Sequence, residues 1–176
     1  MQTQTEKILN FLRFISWIAF IGSIVLLLMK ISAFGVGLLA PNTKMTFSGT
    51  NIKLSGLRKD HLKEYLFAFS FLITVAILNV QVWENVKNVL HKINLKNPFS
   101  MEIAKILEKI GYLLLSIWAV GFIAEGYLDY LSKRIDGVEK GMDIDFNYLF
   151  TAGIVYIISQ IFKRGVELQE ENELTV

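Results

Sequence analysis

The chain has 176 residues, 53% of them hydrophobic and 19% charged, with no cysteine and a formal net charge of +2. A soluble domain of this size is about 45–50% apolar and about a quarter charged, so the composition argues against an ordinary water-soluble domain. The lack of cysteine excludes disulfides, thiolate nucleophiles and cysteine-based metal sites, and so small a net charge gives no ground for a nucleic-acid partner.

The apolar excess lies in blocks. Residues 14–29, 65–83, 110–124 and 146–162 carry no charge at all. With weakly polar flanks, each reaches the roughly 20 residues that cross about 30 Å of hydrocarbon. The alternative is a compact soluble bundle, whose helices would each keep a polar face; these blocks are apolar on every side. The predicted fold class is an all-α membrane protein of four transmembrane helices, one domain over residues 1–176, with a small β-sheet cap built from its two outer loops.

The first span is predicted over residues 8–33, with helix reaching back to Glu6 and either stopping near Lys30 or running to Leu39. Trp17 and Phe20 lie within it, and Lys30 is expected to snorkel to the interface. A cleaved signal peptide would need a shorter apolar core and a small-residue cleavage site, so this segment is read as a retained helix. Pro41 and Asn42 end it, and the period then changes to two. Met45 and Phe47 alternate with Lys44, Thr46 and Ser48, and Ile52 and Leu54 with Lys53 and Ser55. Alternation of this kind predicts a hairpin in the outer loop, residues 41–60.

The second span, residues 64–88, contains Asn79 and Gln81 and runs helically toward a hinge at residues 91–103. Asn97 and Pro98 are expected to stop it, because the residue before proline avoids helical backbone. Ser100 is a good N-cap for the next helix, with Glu102 in its first turn. The third span, residues 104–130, begins amphipathic, with Ile103, Ile106, Leu107 and Ile110 on one face and Glu102, Lys105, Glu108 and Lys109 on the other. In the loop at residues 132–146, Met142, Ile144 and Phe146 alternate with Asp143 and Asp145. Four spans put both alternating loops on one side, which is the basis for the predicted cap. The fourth span, residues 147–164, ends at Lys163 and Arg164. Gly165 is expected to loosen or end the helix ahead of an acidic tail, residues 165–176, carrying Glu167, Glu170, Glu171 and Glu173.

Lys and Arg number nine on each side of these spans, so the positive-inside rule does not decide orientation. Lys7 and Arg13, ahead of the first span, point to cytoplasmic N- and C-termini. Asn79, Gln81, Glu125 and Gln160 are the intramembrane polar candidates, and such groups are the default functional suspects. They admit a small transporter or channel component, with Glu125 binding a cation or pairing with a basic group such as Lys30; the plainer roles are an interfacial carboxylate with access to water for Glu125 and hydrogen bonding between helices for Asn79, Gln81 and Gln160. Asp60, His61 and Glu64 form the best weak surface metal candidate, and His91 lies across the membrane from His61, so no metal is assigned. No HExxH, GxSxG or Gly-rich phosphate loop occurs, and neither enzymatic activity nor a cofactor is expected. The basic hinge (Lys87, His91, Lys92, Lys96, Lys105, Lys109) and the acidic tail share one side, so the tail is expected either to dock on the hinge or to receive a soluble partner together with it.

The segments NPFSMEIAKILEKIGYLL and IFKRGVELQEENELTV resemble the two signature segments of a bacterial membrane family catalogued as domain of unknown function 2975. The motif positions are Pro98, Phe99, Gly111, Phe162, Gly165, Leu168, Glu171, Leu174 and Thr175. The resemblance implies a multi-pass protein of the bacterial cytoplasmic membrane without assigned activity. It also implies a neighbouring small helix-turn-helix regulator, hence a regulatory membrane protein that senses or sequesters such a partner. The expected partner-binding residues are Asn97, Pro98, Phe99, Ser100, Lys105, Lys163, Arg164, Gly165, Leu168, Glu171, Leu174 and Thr175. Apart from the lipid bilayer, a homo-oligomer is compatible with the sequence, and no direct nucleic-acid contact is expected.

Overall fold

The computed structural model describes residues 4–39, 61–95, 98–135, 138 and 145–173. They form four helices: α1 (Gln4–Leu39), α2 (Leu62–Lys92), α3 (Met101–Ser132) and α4 (Asn147–Glu173). At 1.5 Å per residue these measure roughly 40 to 54 Å, well beyond the about 30 Å of hydrocarbon in a bilayer. All four are long and apolar enough to cross a membrane, and large side chains such as Phe14, Phe122 and Phe150 stand exposed on their outer surfaces. The chain is a multi-pass membrane protein whose helices overrun the bilayer.

The helices pack in chain order, α1 on α2, α2 on α3 and α3 on α4, and no other pair packs extensively. The result is an open row rather than a closed bundle. α3 is central, with 33% of its apolar window buried, whereas α1 buries only 6% and presents nearly all of its surface outward. The less exposed residues of α1 include Leu9, Arg13, Ser16, Phe20, Ser23, Leu27, Lys30 and Phe34, spaced alternately by four and three. That period of 3.5 is the seam of a left-handed pair, here laid on α2. Ser16 and Ser23 are the buried members. Each hydroxyl donates to a carbonyl of its own helix, Ser16 to Arg13 and Ser23 to Phe20, both at 2.7 Å. They need no partner across the seam, and their small size lets the backbones approach.

Two buried clusters hold the row. Away from the termini, Tyr65, Phe69, Leu72, Leu128 and Leu131 pack together, and Phe34 of α1 stacks on Phe69 at 4.3 Å between ring centroids. Toward the termini, Val82, Ile110, Leu113, Leu114, Ile117 and Ala152 join α2, α3 and α4. Gly111 sets the α3–α4 spacing: a Cβ there would lie 3.3 Å from the Ala152 carbonyl oxygen and 3.4 Å from Tyr156 Cβ.

α1 runs through Lys30 to Leu39 in one piece, the longer of its two expected courses. Two other boundaries differ from the sequence reading. α2 ends at Lys92, ahead of Asn97 and Pro98; Ile93 turns to extended backbone (φ −62°, ψ 124°), and Arg13 takes up carbonyls freed at that end. α4 does not end at Gly165 but continues to Glu173, supported by an Arg164–Glu167 ion pair at 2.7 Å in a run of good helix formers. The proposed tail is therefore largely a helical extension. Met45, Phe47, Ile52 and Leu54 of the expected hairpin, and Met142 and Ile144 of the second loop, lie outside the described residues. Among the described residues every regular element is a helix and no strand supports a β-sheet cap.

The two glycines of the α3–α4 face make the packing testable. A Cβ at Gly153 meets nothing within 4 Å. Gly111→Val is expected to destabilise the detergent-solubilised chain by about 1–3 kcal/mol through overpacking, read as a lower midpoint in SDS unfolding. Gly153→Val is expected to stay within about 0.5 kcal/mol of the parent.

Candidate functional site

The charge-free blocks stop short of the helix ends on the side bearing both chain termini. Residues 4–13, 84–92, 101–109 and 163–173 extend α1, α2, α3 and α4 beyond them, by roughly 14–17 Å at helical rise. These extensions carry the charges, and the polar contacts between helices gather there.

The hinge joins α2 to α3 at this end. Ser100 adopts extended backbone, and its hydroxyl accepts the Ile103 N–H at 3.2 Å, which caps α3. Lys92 and Glu102 form an ion pair across the hinge. Phe99 turns toward α4: its ring meets Phe162 edge-on at 5.2 Å and lies over Gly165. A Cβ at residue 165 would come within 2.6 Å of Phe99 Cδ1, so only glycine accepts the ring in this position. Past the ring, Ile161, Arg164 and Leu168 help to line a groove of about 450 Å³.

One turn nearer the bilayer, Lys163 of α4 pairs with Glu108 of α3 at 2.8 Å, both side chains about three-quarters buried. Gln160 donates to the same carboxylate oxygen at 3.5 Å and to Ser159 Oγ at 3.2 Å. Ser159 is fully buried and donates to the Tyr156 carbonyl at 2.6 Å.

On the other flank, Arg13 of α1 donates through Nε to the Leu90 carbonyl at 2.7 Å, with longer contacts of 3.5 Å from Nη2 to the carbonyls of His91 and Ile93. A cation thus caps the negative end of α2, where the helix dipole favours it. Trp17 Nε1–H donates to His91 Nε2 at 3.3 Å, and His91 Nδ1 lies 2.9 Å from the Lys87 carbonyl; with Nδ1 donating, this is the neutral tautomer. The Lys87 ammonium sits over the rings of Trp17 (4.7 Å) and Phe20 (4.3 Å).

The expected site residues thus divide. Phe99, Ser100, Lys163, Gly165 and Leu168 come together at the hinge–α4 junction. Pro98 is half-buried in the hinge, and Lys105 points outward, exposed. Asn97, Lys96, Leu174 and Thr175 lie outside the described residues. Of the expected contacts between acidic tail and basic hinge, those of Lys96 lie outside the described residues. Glu167 pairs with Arg164 of its own helix, Glu171 lies 4.0 Å from the same guanidinium, and Lys92 pairs with Glu102; the junction itself is made by aromatic packing. Arg13 and Trp17 are functional-end residues that the sequence reading treated only as flank and span. An arginine just ahead of an apolar block is visible in sequence, but the carbonyls it caps depend on register.

Of the intramembrane candidates, Gln160 reaches between helices, to Glu108. Asn79 bonds within α2, to the Val75 carbonyl at 3.0 Å, and the Gln81 carbonyl receives Asn85 at 2.6 Å. Glu125 and Lys30 form no ion pair among the described residues, with each other or otherwise. Arg13 against Leu90 and Phe34 against Phe69 share one register. It puts Lys30 level with Ile73, near the middle of the charge-free block 65–83, and Lys30 is half-buried in the α1–α2 seam. Asp60 is outside the described residues; among the described residues no three metal-ligating side chains converge.

Two outcomes follow. Gly165→Ala is expected to expel the Phe99 ring and raise hydrogen exchange in the hinge, while adding little in a Phe99→Ala background. Lys30→Leu is expected to improve the apparent insertion free energy of α1 by about 3 kcal/mol in a translocation assay, as for a mid-bilayer lysine; an interfacial lysine would change it far less.

The model of the family described as "Protein of unknown function (DUF2975)" matches residues 55–176, which takes in α2, the hinge, α3 and α4. No curated protein and no solved structure matches the chain.

Proposed function

We propose, from the premise that the chain belongs to the DUF2975 family of proteins of unknown function, that it is a non-enzymatic regulatory membrane protein. In this reading the junction of hinge and α4 extension receives a soluble partner. The observation that carries it is the seating of Phe99 over Gly165, beside a groove at the terminal end bounded by apolar Ile161 and Leu168 and by polar Arg164, Gln169 and Asn172. Such a surface suits a partner with an apolar anchor and a polar rim, because rim groups select and steer partners while buried anchors hold them. A small helix-turn-helix regulator, as the family resemblance implies, meets that description, and it requires the end bearing both termini to be cytoplasmic. Bacterial origin and inner-membrane location belong to the same proposal.

The transporter or channel reading draws less support. Asn79 and Gln160 are engaged in hydrogen bonds, and the open row of helices encloses no lumen among the described residues.

Affinity capture of the full-length chain from solubilised membranes tests the proposal. Leu168→Glu and Phe99→Ala are each expected to lower recovery of a specific soluble partner at least ten-fold, as for loss of a buried anchor, while Phe122→Ala, on the lipid-facing surface, leaves it unchanged. Equal recovery with all three would sink the docking site.

A further inference from the structure

We propose that the groove between α1 and the carboxyl end of α2 binds the phosphate headgroup of an anionic phospholipid. The groove measures about 510 Å³ and is lined by Arg13, His91 and Lys92, with the Asn10 amide, the half-buried Leu9 and one carboxylate, Glu6. It stands apart from the hinge–α4 junction and uses other side chains.

Its depth suits a headgroup. Arg13 immediately precedes the charge-free block of α1. One turn further in, Trp17 and Phe20 lie beside Lys87, and aromatic rings flanked by cations mark the membrane–water interface. A lipid lying against α1 therefore brings its phosphate to the level of this groove.

Its charge suits one as well. Nε of Arg13 is committed to the Leu90 carbonyl and Nη1 donates to Asn10 Oδ1 at 3.2 Å, but Nη2 makes only contacts of 3.5 Å, so Nη2 keeps a donor to offer. Lys87, beside the groove, faces ring faces and no carboxylate among the described residues. Lys92 is paired with Glu102 in an exposed bridge, the kind that contributes little and exchanges readily. Arg13 and Lys92 thus line the groove, with Lys87 one turn deeper beside it, against Glu6 within it. Basic pockets between transmembrane helices bind anionic headgroups in this manner, each cation contributing about a five-fold gain in affinity.

A free phosphate ion presents the same chemistry, so the test separates the two sources. The full-length chain in detergent micelles is titrated with dioleoyl phosphatidylglycerol, dioleoyl phosphatidylcholine or inorganic phosphate. Bound adducts are counted by native mass spectrometry, and Trp17 emission is followed in a Trp83→Phe, Trp118→Phe background. Phosphatidylglycerol is expected to be retained and to shift Trp17 emission, while phosphatidylcholine and millimolar inorganic phosphate do neither. Lys87→Gln and Lys92→Gln are each expected to weaken phosphatidylglycerol binding about five-fold and to leave the weak phosphatidylcholine background unchanged. Because Arg13→Gln also removes the cap of α2, the two lysine variants carry the test. Equal retention of the two lipids, or lysine variants that bind as the parent does, would overturn the site. Saturation by inorganic phosphate alone would overturn the lipid as its source.

Discussion

A phenyl ring lying over a glycine holds the terminal end of this protein together. Phe99 occupies the space that a side chain at residue 165 would fill, and its neighbours follow from that seat. Ser100 is placed to cap α3, the Lys92–Glu102 pair can span the hinge, and α4 continues past Gly165 instead of ending there. The physical reason lies in where the contact sits. Inside a bilayer, moving an apolar side chain from lipid to protein gains little, because lipid tails are as apolar as leucine. At the edge of the charge-free block water returns, and covering the hinge residue Phe99 there gains more of the hydrophobic term than a contact within the lipid would.

Two packing regimes therefore meet in one chain. Across the membrane the helices approach through small residues: Ser16 and Ser23 on the α1 seam, Gly111 and Ala152 between α3 and α4. Buried polar groups there are satisfied within their own helices, as for Ser16, Ser23, Asn79, Asn85 and Ser159. Polar contacts between elements belong to the terminal end: Arg13 on the α2 carbonyls, Trp17 on His91, Lys163 on Glu108, Lys92 on Glu102. Lys30 is the exception, a charge in the seam at mid-block with no ion-pair partner among the described residues.

The four spans were legible because a bilayer leaves a coarse signature, long blocks without charge. Ser100 as a cap was legible for a local reason, since its chemistry depends on the next three residues. Helix ends were less so. Pro98 looked like the stop for α2, yet the helix ended earlier at Lys92, where a cation from α1 takes the freed carbonyls; that depends on a register no local pattern encodes. Gly165 looked like a helix end because glycine usually marks one, but its role is to make room for a ring. Charge alone could not say which pairs form: among the described residues Glu167 meets Arg164 of its own helix and Lys92 meets Glu102. Composition showed that these segments share a side; it did not show that they meet through aromatic packing.

Among the described residues the terminal end ties all four helices by specific contacts. The extensive helix contacts of α1 are with α2, and those of α4 with α3. Contacts nevertheless run without a break from α4 to α1: Gly165 to Phe99, along the hinge to Glu102, across to Lys92 at the end of α2, and from the adjacent carbonyls to Arg13. Continuity alone is not coupling, which needs an element with two arrangements that both ends can bias. Within this run the helical links are held by backbone hydrogen bonds and by buried neighbours. Among its described residues the hinge is held by the Phe99 ring, the Ser100 cap, Arg13 and Trp17 at its α2 end and the exposed Lys92–Glu102 pair, and exposed pairs contribute little. Displacing Phe99 would therefore be felt at both the α3 cap, next to it in sequence, and the end of α2, through the Lys92–Glu102 pair.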